Sequence, residues 1–235
     1  MYLHRYLLPE NFGCELLHWK NREYFRSLRN RPGEVTLSGF DRHRCIFIHI
    51  PKAGGVSVSK ALFGARSGGH SSITRYKKIF GIQTFYNYYK FSFVRNPYTR
   101  LLSAFNYFKR GGYVEKDREI SAKYFEPFET LDDFVKTWLD KSNVWKITHL
   151  VPQTHFITNR KGELEIDFLG RYENLSNDFK VVANHLRIRS ELGHHNRSRE
   201  TDSWIDCYTP QSLEAVNELY KKDFELLNYD RLSRP

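Results

Sequence analysis

Residues Cys45–Gly64, CIFIHIPKAGGVSVSKALFG, decide how this chain is read. An apolar, β-branched run passes into Pro-Lys, a glycine pair, and small hydroxylic residues that lead into a helix-like segment. Strand, tight turn and helix N-terminus in that order build an anion cradle from backbone amides. Ile46 to Ile50 suits a buried parallel strand, apolar on both faces. Gly54 and Gly55 let the backbone approach an anion closely and take positive φ without penalty. Lys52 adds a cation at the same turn, and Ser57 or Ser59 is expected to cap the helix or meet the ligand. The spacing is not that of a G-x-x-x-x-G-K-[ST] loop, so a kinase or ATPase loses its main support.

A second segment has the same grammar. Phe91–Phe108, FSFVRNPYTRLLSAFNYF, is a further buried strand, an Arg at its carboxyl end, Asn-Pro as punctuation, then an amphipathic helix. Ligands of open α/β sheets bind beyond the carboxyl ends of the strands, so Arg95 is expected at the same sheet edge as Lys52. Ser103 lies eight residues on, about two helical turns. An Arg and a Ser there suggest a ligand with phosphates at two separate places. Taken singly, the loop reads equally as a plain Gly-containing turn, and Arg95 as a strand-end ion pair.

Elsewhere the pattern alternates strands and helices, which predicts an α/β fold with a central parallel sheet flanked by helices. Gly64–Ser72 reads as a Gly/Ser-rich loop, and Gly111–Glu129 as charged, irregular sequence suited to a mobile loop. Leu131, Phe134, Val135, Trp138 and Leu139 recur at helical spacing. Asp167–Tyr172 reads as a short strand and Asn174–Arg187 as a helix, with Asn174 or Ser176 near its cap. Gly193–Asp202 is a polar loop. Pro210–Leu227 reads as one amphipathic helix with the proline in its first turn.

The 235 residues suit a single domain. A formal charge of +10 would steer anionic ligands. Nucleic acid is disfavoured as a partner, because the chain has neither zinc spacing, nor an RNP-like motif, nor a long Lys/Arg block. Cys14, Cys45 and Cys207 are widely spaced and imply neither disulfide framework, redox motif nor metal site. The first residues, MYLHRYLLPENFGCELLHWK, hold no run of about 20 apolar residues for a membrane span and no signal-peptide core.

The two segments resemble the 5′-phosphosulfate loop and 3′-phosphate motif of sulfotransferases that use 3′-phosphoadenosine 5′-phosphosulfate (PAPS). The likeness is to the carbohydrate branch, sulfotransferase family 2, which includes the heparan sulfate 2-O- and 6-O-sulfotransferases and bacterial relatives. That branch's I-P-K-T-G-G-T-S is matched by Ile50 to Ser57, and its F-V-R-N-P-Y-x-R-x-x-S by Phe93 to Arg100 with Ser103. His149–Gln153, Phe168–Leu175 and Tyr220–Phe224 are also similar, so the likeness runs in order from about residue 44 to 230. Val56 departs from it by replacing a Thr, which leaves Ser57 or Ser59 to supply the hydroxyl.

The resemblance implies in-line transfer of the sulfuryl group of PAPS to a hydroxyl of a carbohydrate, or of a glycosylated or small-molecule acceptor, leaving PAP and needing no metal. It implies that Pro51, Lys52, Ala53, Gly54, Gly55, Val56 and Ser57 hold the 5′ end of the nucleotide, and that Arg95 and Ser103 hold the 3′-phosphate. Lys52 would also be catalytic. Tyr172 is expected near the adenine, with Arg197 and Ser198, beside His194 and His195, closing over the nucleotide. Of ten histidines, His70 is the expected general base, because related enzymes place one in this interval and it follows a flexible Gly-rich loop. His49 reads as a packed strand-end residue, and His149, Gln153 and His155 as acceptor-side contacts. Residues 1–43 are expected as an N-terminal extension packed on, and shaping the acceptor cleft of, a sulfotransferase domain over 44–235. A bacterial cytoplasmic enzyme is expected, with a Golgi-lumenal enzyme trimmed of its anchor as the alternative. The rival functions are a non-catalytic protein that binds anionic glycans and, further off, a P-loop kinase.

Overall fold

The computed structural model describes residues 9–33, 35–193 and 204–233. In chain order it forms α1 (Glu10–Lys20), α2 (Arg22–Asn30), β1 (Val35–Thr36), α3 (Ser38–His43), β2 (Cys45–Ile48), α4 (Gly55–Phe63), β3 (Arg66–Ser67), α5 (Ile73–Phe80), α6 (Ile82–Asn87) and β4 (Tyr89–Val94). There follow α7 (Pro97–Lys109), α8 (Glu115–Tyr124), α9 (Leu131–Thr137), α10 (Thr154–Ile157), β5 (Phe168–Arg171), α11 (Leu175–His185), α12 (Pro210–Leu219) and α13 (Lys221–Leu227). These elements gather into two compact units: one runs to Val94 and resumes at His155, and the other holds Arg95–Thr154 and the C-terminal part.

The first unit contains the expected parallel sheet, in strand order β2-β4-β5, with a small parallel pair β1-β3 beside it. All four residues of β2 are buried, which is why the strand reads as continuously apolar rather than alternating. Phe47 stacks on Phe91 at a centroid distance of 5.0 Å, and the Ser92 hydroxyl donates to the Ile48 carbonyl at 2.7 Å. Helix α3 packs on β2, α4 on β3 and α11 on β5. The N-terminal helices α1 and α2 both pack on α5. There the Glu10 carboxylate accepts from Thr74 Oγ1 at 2.8 Å and from the Arg160 amide at 2.7 Å.

The second unit is helical around Tyr98, Leu101, Phe105, Phe108, Phe125, Phe134, Leu213, Val216 and Phe224. Asn-Pro starts α7 as its chemistry dictates: Asn96 accepts from the Tyr98 amide at 3.0 Å, and Pro97 occupies the first turn. Thr209 and Pro210 do the same for α12. Arg100, 1% exposed, donates to the carbonyls of His149, Leu150 and Val151. The second arginine of the Arg95–Arg100 motif therefore holds up a loop.

Several expectations change. Gly111–Glu129 is not an irregular loop but carries α8, anchored where Asp117 accepts from the Tyr113 and Val114 amides and from Tyr107 Oη. The charge that suggested a loop lies on an exposed helix face. Pro210–Leu227 is two helices, divided at Tyr220. Asn174 is the N-cap residue of α11 as expected, although its side chain donates to Asp178 rather than capping the helix.

A buried carboxylate ties the C-terminal helix to the stretch before α10. Asp223, fully buried, accepts from the Gln153 amide at 2.7 Å and from the Thr154 amide and hydroxyl at 2.9 and 2.8 Å. Asp223→Asn turns one acceptor into a donor facing an N–H group. It should lower stability by about 3 kcal/mol, read as a drop in urea midpoint at constant slope.

Candidate active site

The turn between β2 and α4 departs from ordinary backbone at two positions. Lys52 has φ +65° and Gly54 φ +80°. Glycine visits this region freely, whereas a lysine there is strained. Left-handed residues within such a turn bring successive N–H groups to one side, the geometry of an anion-binding concavity. Pro51 and Ala53 are buried and anchor the turn from below. Gly54 is required by its backbone conformation and Gly55 by space. A Cβ on Gly54 would lie 3.0 Å from Leu175 Cδ2 and 3.2 Å from Tyr172 Cδ2, and one on Gly55 only 2.1 Å from His49 Cδ2.

The helix starts directly on this turn. Gly54 is its N-cap residue, and among the described residues no side chain caps it, contrary to the expectation for Ser57 and Ser59. The first amides of a helix lack intrahelical acceptors and point at whatever lies before it. Ser59 is fully buried, and its hydroxyl donates to the Val56 carbonyl at 3.2 Å. Ser57 is half-buried, and Val56 is 38% exposed.

His49 is the packed strand-end residue its position suggested, 6% exposed and stacked on Phe47. It also organises its neighbour. The His70 ring stands edge-on to it at 4.7 Å, and His70 Nδ1 lies 3.1 Å from the His49 carbonyl. A carbonyl can only accept, so Nδ1 carries the hydrogen and, in the neutral ring, Nε2 holds the lone pair. Gly68 and Gly69, at φ +86° and +55°, turn the chain into this position, and Tyr76 Oη pins the Gly68 carbonyl at 2.8 Å. The first unit thus brings together Lys52, Gly54, Gly55, His49, His70 and Tyr172, the last through its ring against Gly54.

Arg95 follows Val94 at the end of β4 and belongs to the second unit. It is 4% exposed, and its Nε donates to Thr99 Oγ1 at 3.0 Å. Arg95, Thr99 and half-buried Ser103 are spaced four apart, so Thr99 and Ser103 share one face of α7. Thr99 was not singled out from sequence, although the i+4 spacing was there to be seen. Gln153 is fully buried, with its Oε1 accepting from the Arg95 amide at 2.9 Å and its Nε2 donating to the Arg95 carbonyl at 2.7 Å. Both ends of its buried amide engage the Arg95 backbone, so it braces the arginine. His149 stacks on Tyr107, and His155 is exposed in the other unit. Arg197 and Ser198, with His194 and His195, lie outside the described residues.

The strain at Lys52 is measurable apart from any ligand. Lys52→Gly should be more stable than Lys52→Ala by about 1 kcal/mol, because glycine tolerates the left-handed backbone and alanine does not. Thermal and urea unfolding of the two variants, neither of which has the ammonium group, test this.

Comparison with known proteins agrees with the geometry. The model of the sulfotransferase family matches residues 39–230. Carbohydrate sulfotransferase 14 of Danio rerio is 28% identical over 173 residues, which cover 61% of this chain and 44% of that protein. The chain therefore spans less than half the length of this relative. No solved structure matches. A family match across most of the chain, which takes in both the strand–turn–helix and the Arg95 segments described above, shows that this chain belongs to the sulfotransferase family.

Proposed function

We propose that this protein is an O-sulfotransferase that moves the sulfuryl group of PAPS to a hydroxyl of a carbohydrate or small-molecule acceptor. The observation that carries this reading is the Lys52–Gly55 turn. A lysine and a glycine at positive φ, a second glycine without room for a Cβ, and a helix start make a cradle that fits a phosphosulfate. When bound, PAPS supplies the transferable sulfuryl group and leaves as PAP.

In this reading, the backbone from Lys52 to Ser57 orients the non-bridging oxygens, and the Lys52 ammonium offsets the charge that builds on the leaving oxygen. The Ser57 hydroxyl takes the place of the Thr that Val56 replaces. Arg95 grips the 3′-phosphate with its planar fork, aimed by Thr99 and braced by Gln153, while Ser103 adds a hydroxyl. Tyr172 lies on the adenine side. His70 Nε2 takes the proton of the acceptor hydroxyl, its ring held by the His49 carbonyl. A base so placed contributes roughly 10²–10⁴-fold in rate.

Calorimetric titration with PAP, beside ATP with Mg²⁺, tests the donor. Tight, metal-independent PAP binding and feeble ATP binding are expected, and no PAP binding would overturn the proposal. Lys52→Ala should chiefly lower turnover, and Arg95→Ala chiefly weaken PAP. His70→Ala should leave PAP affinity within about twofold and lower turnover by 10²-fold or more. Near-normal turnover in the His70 variant would reassign the base.

A further inference from the structure

His70 stands on a turn that does not hold itself. Gly68 and Gly69, just before it, have φ +86° and +55°. Glycine moves freely among backbone regions, so two of them leave the place of the next side chain undetermined by the turn alone. What determines it is Tyr76, fully buried in α5. Its hydroxyl donates to the Gly68 carbonyl at 2.8 Å, and the Ser71 side chain hydrogen-bonds to the same oxygen. Gly68 lies two residues before His70 and Ser71 one after it. A single hydroxyl therefore grips the turn on both sides of the imidazole. Burial pushes the Tyr76 phenol above its ordinary range, which keeps the proton that it donates. The fit is close: a Cβ on Gly68 would lie 2.6 Å from Tyr76 Oη.

The mount is itself fixed. The Tyr76 ring packs against Phe40 and Phe80 at centroid distances of 6.0 and 6.2 Å. Lys77, next in the helix and 1% exposed, meets Glu165 at 2.5 Å and Glu10 at 3.7 Å. Glu10 begins α1, and its carboxylate also accepts from Thr74 Oγ1 in α5. Charges that burial makes costly to separate thus tie α5 to α1 and to Glu165. On the far side of the turn, His70 Nδ1 reaches the His49 carbonyl at 3.1 Å. That hydrogen bond decides which ring nitrogen keeps a lone pair. It forms only while the turn holds the ring within reach of the strand end.

We infer that Tyr76 is a positioning residue for His70: by holding Gly68 and Ser71 it keeps the imidazole on the His49 carbonyl, with its hydrogen on Nδ1 and its lone pair on Nε2. The use of that lone pair as the base rests on the sulfotransferase function proposed above, whereas the placement of the ring does not. Tyr76 acts on the reaction only through the turn.

The test is nitrogen NMR of the full chain carrying isotope-labelled histidine, at a pH well above the histidine range so that the ring is neutral. His70→Ala identifies the His70 signals by their loss. The variants are Tyr76→Phe, which keeps the packed ring and removes the hydroxyl, and Ser71→Ala, which removes one of the two grips. Expected for the native chain is a protonated Nδ1 and a bare Nε2, at widely separated shifts. In Tyr76→Phe the two shifts should converge or change places as the hydrogen moves toward Nε2, with a smaller movement in the same sense for Ser71→Ala. A purely structural tyrosine would lower the thermal midpoint and leave these shifts in place. Asp223→Asn, in the other unit, is the control for lost stability and should not move them. A native His70 without a single Nδ1–H form, unmoved shifts in Tyr76→Phe, or equal movement in Asp223→Asn would overturn the inference. PAP calorimetry on the same samples separates the two readings. PAP should bind the native chain and Tyr76→Phe alike. Absence of PAP binding from both would sink the donor assignment and leave the Tyr76 result standing.

Discussion

The packing of the His49 imidazole beneath Gly55 is the constraint on which the site depends. His49 is buried just past the end of β2, and a Cβ on Gly55 would lie 2.1 Å from its ring, so the helix start admits only glycine there. The helix begins at Gly55, and in the turn before it Lys52 takes a left-handed conformation that a side chain disfavours. The same His49 residue fixes the hydrogen of His70 through its carbonyl. One packed ring and its backbone thus constrain the helix start at Gly55 and the tautomer of a candidate base.

The Arg95 segment is held by different means. Arg95 is buried, and burying a guanidinium is costly unless its surroundings are fully hydrogen-bonded. Its backbone is paired on both sides with the Gln153 amide, Gln153 is paired with Asp223, and Thr99 aims the guanidinium. Arg100 meanwhile caps three carbonyls just upstream of Gln153. A polar group that looked like a ligand contact in the sequence, Gln153, is part of a rigid mount for one arginine.

What the sequence made legible is what local chemistry controls. A continuous apolar run marks a parallel strand buried on both faces, as β2 is. Asn96 with Pro97, and Thr209 with Pro210, mark helix starts because capping oxygens and a fixed φ act within a few residues. Where the reading failed, charge or continuity misled it. The acidic and basic residues of α8 lie on a solvated face, and a helix-period pattern ran on through Tyr220 although the chain turns there.

The sequence by itself determined the order of strand, turn and helix, the glycines and lysine of the first loop, the arginine of the second, and hence the family. Backbone propensity and spacing are encoded locally, and these motifs lie within short runs of chain. Tertiary structure alone decided that His49 lies against His70 and that Gln153 braces Arg95. Those pairs are separated by 21 and 58 residues. Only the burial of the sheet and of the helical core brings such distant side chains within bonding distance, and no local rule specifies which ones will meet.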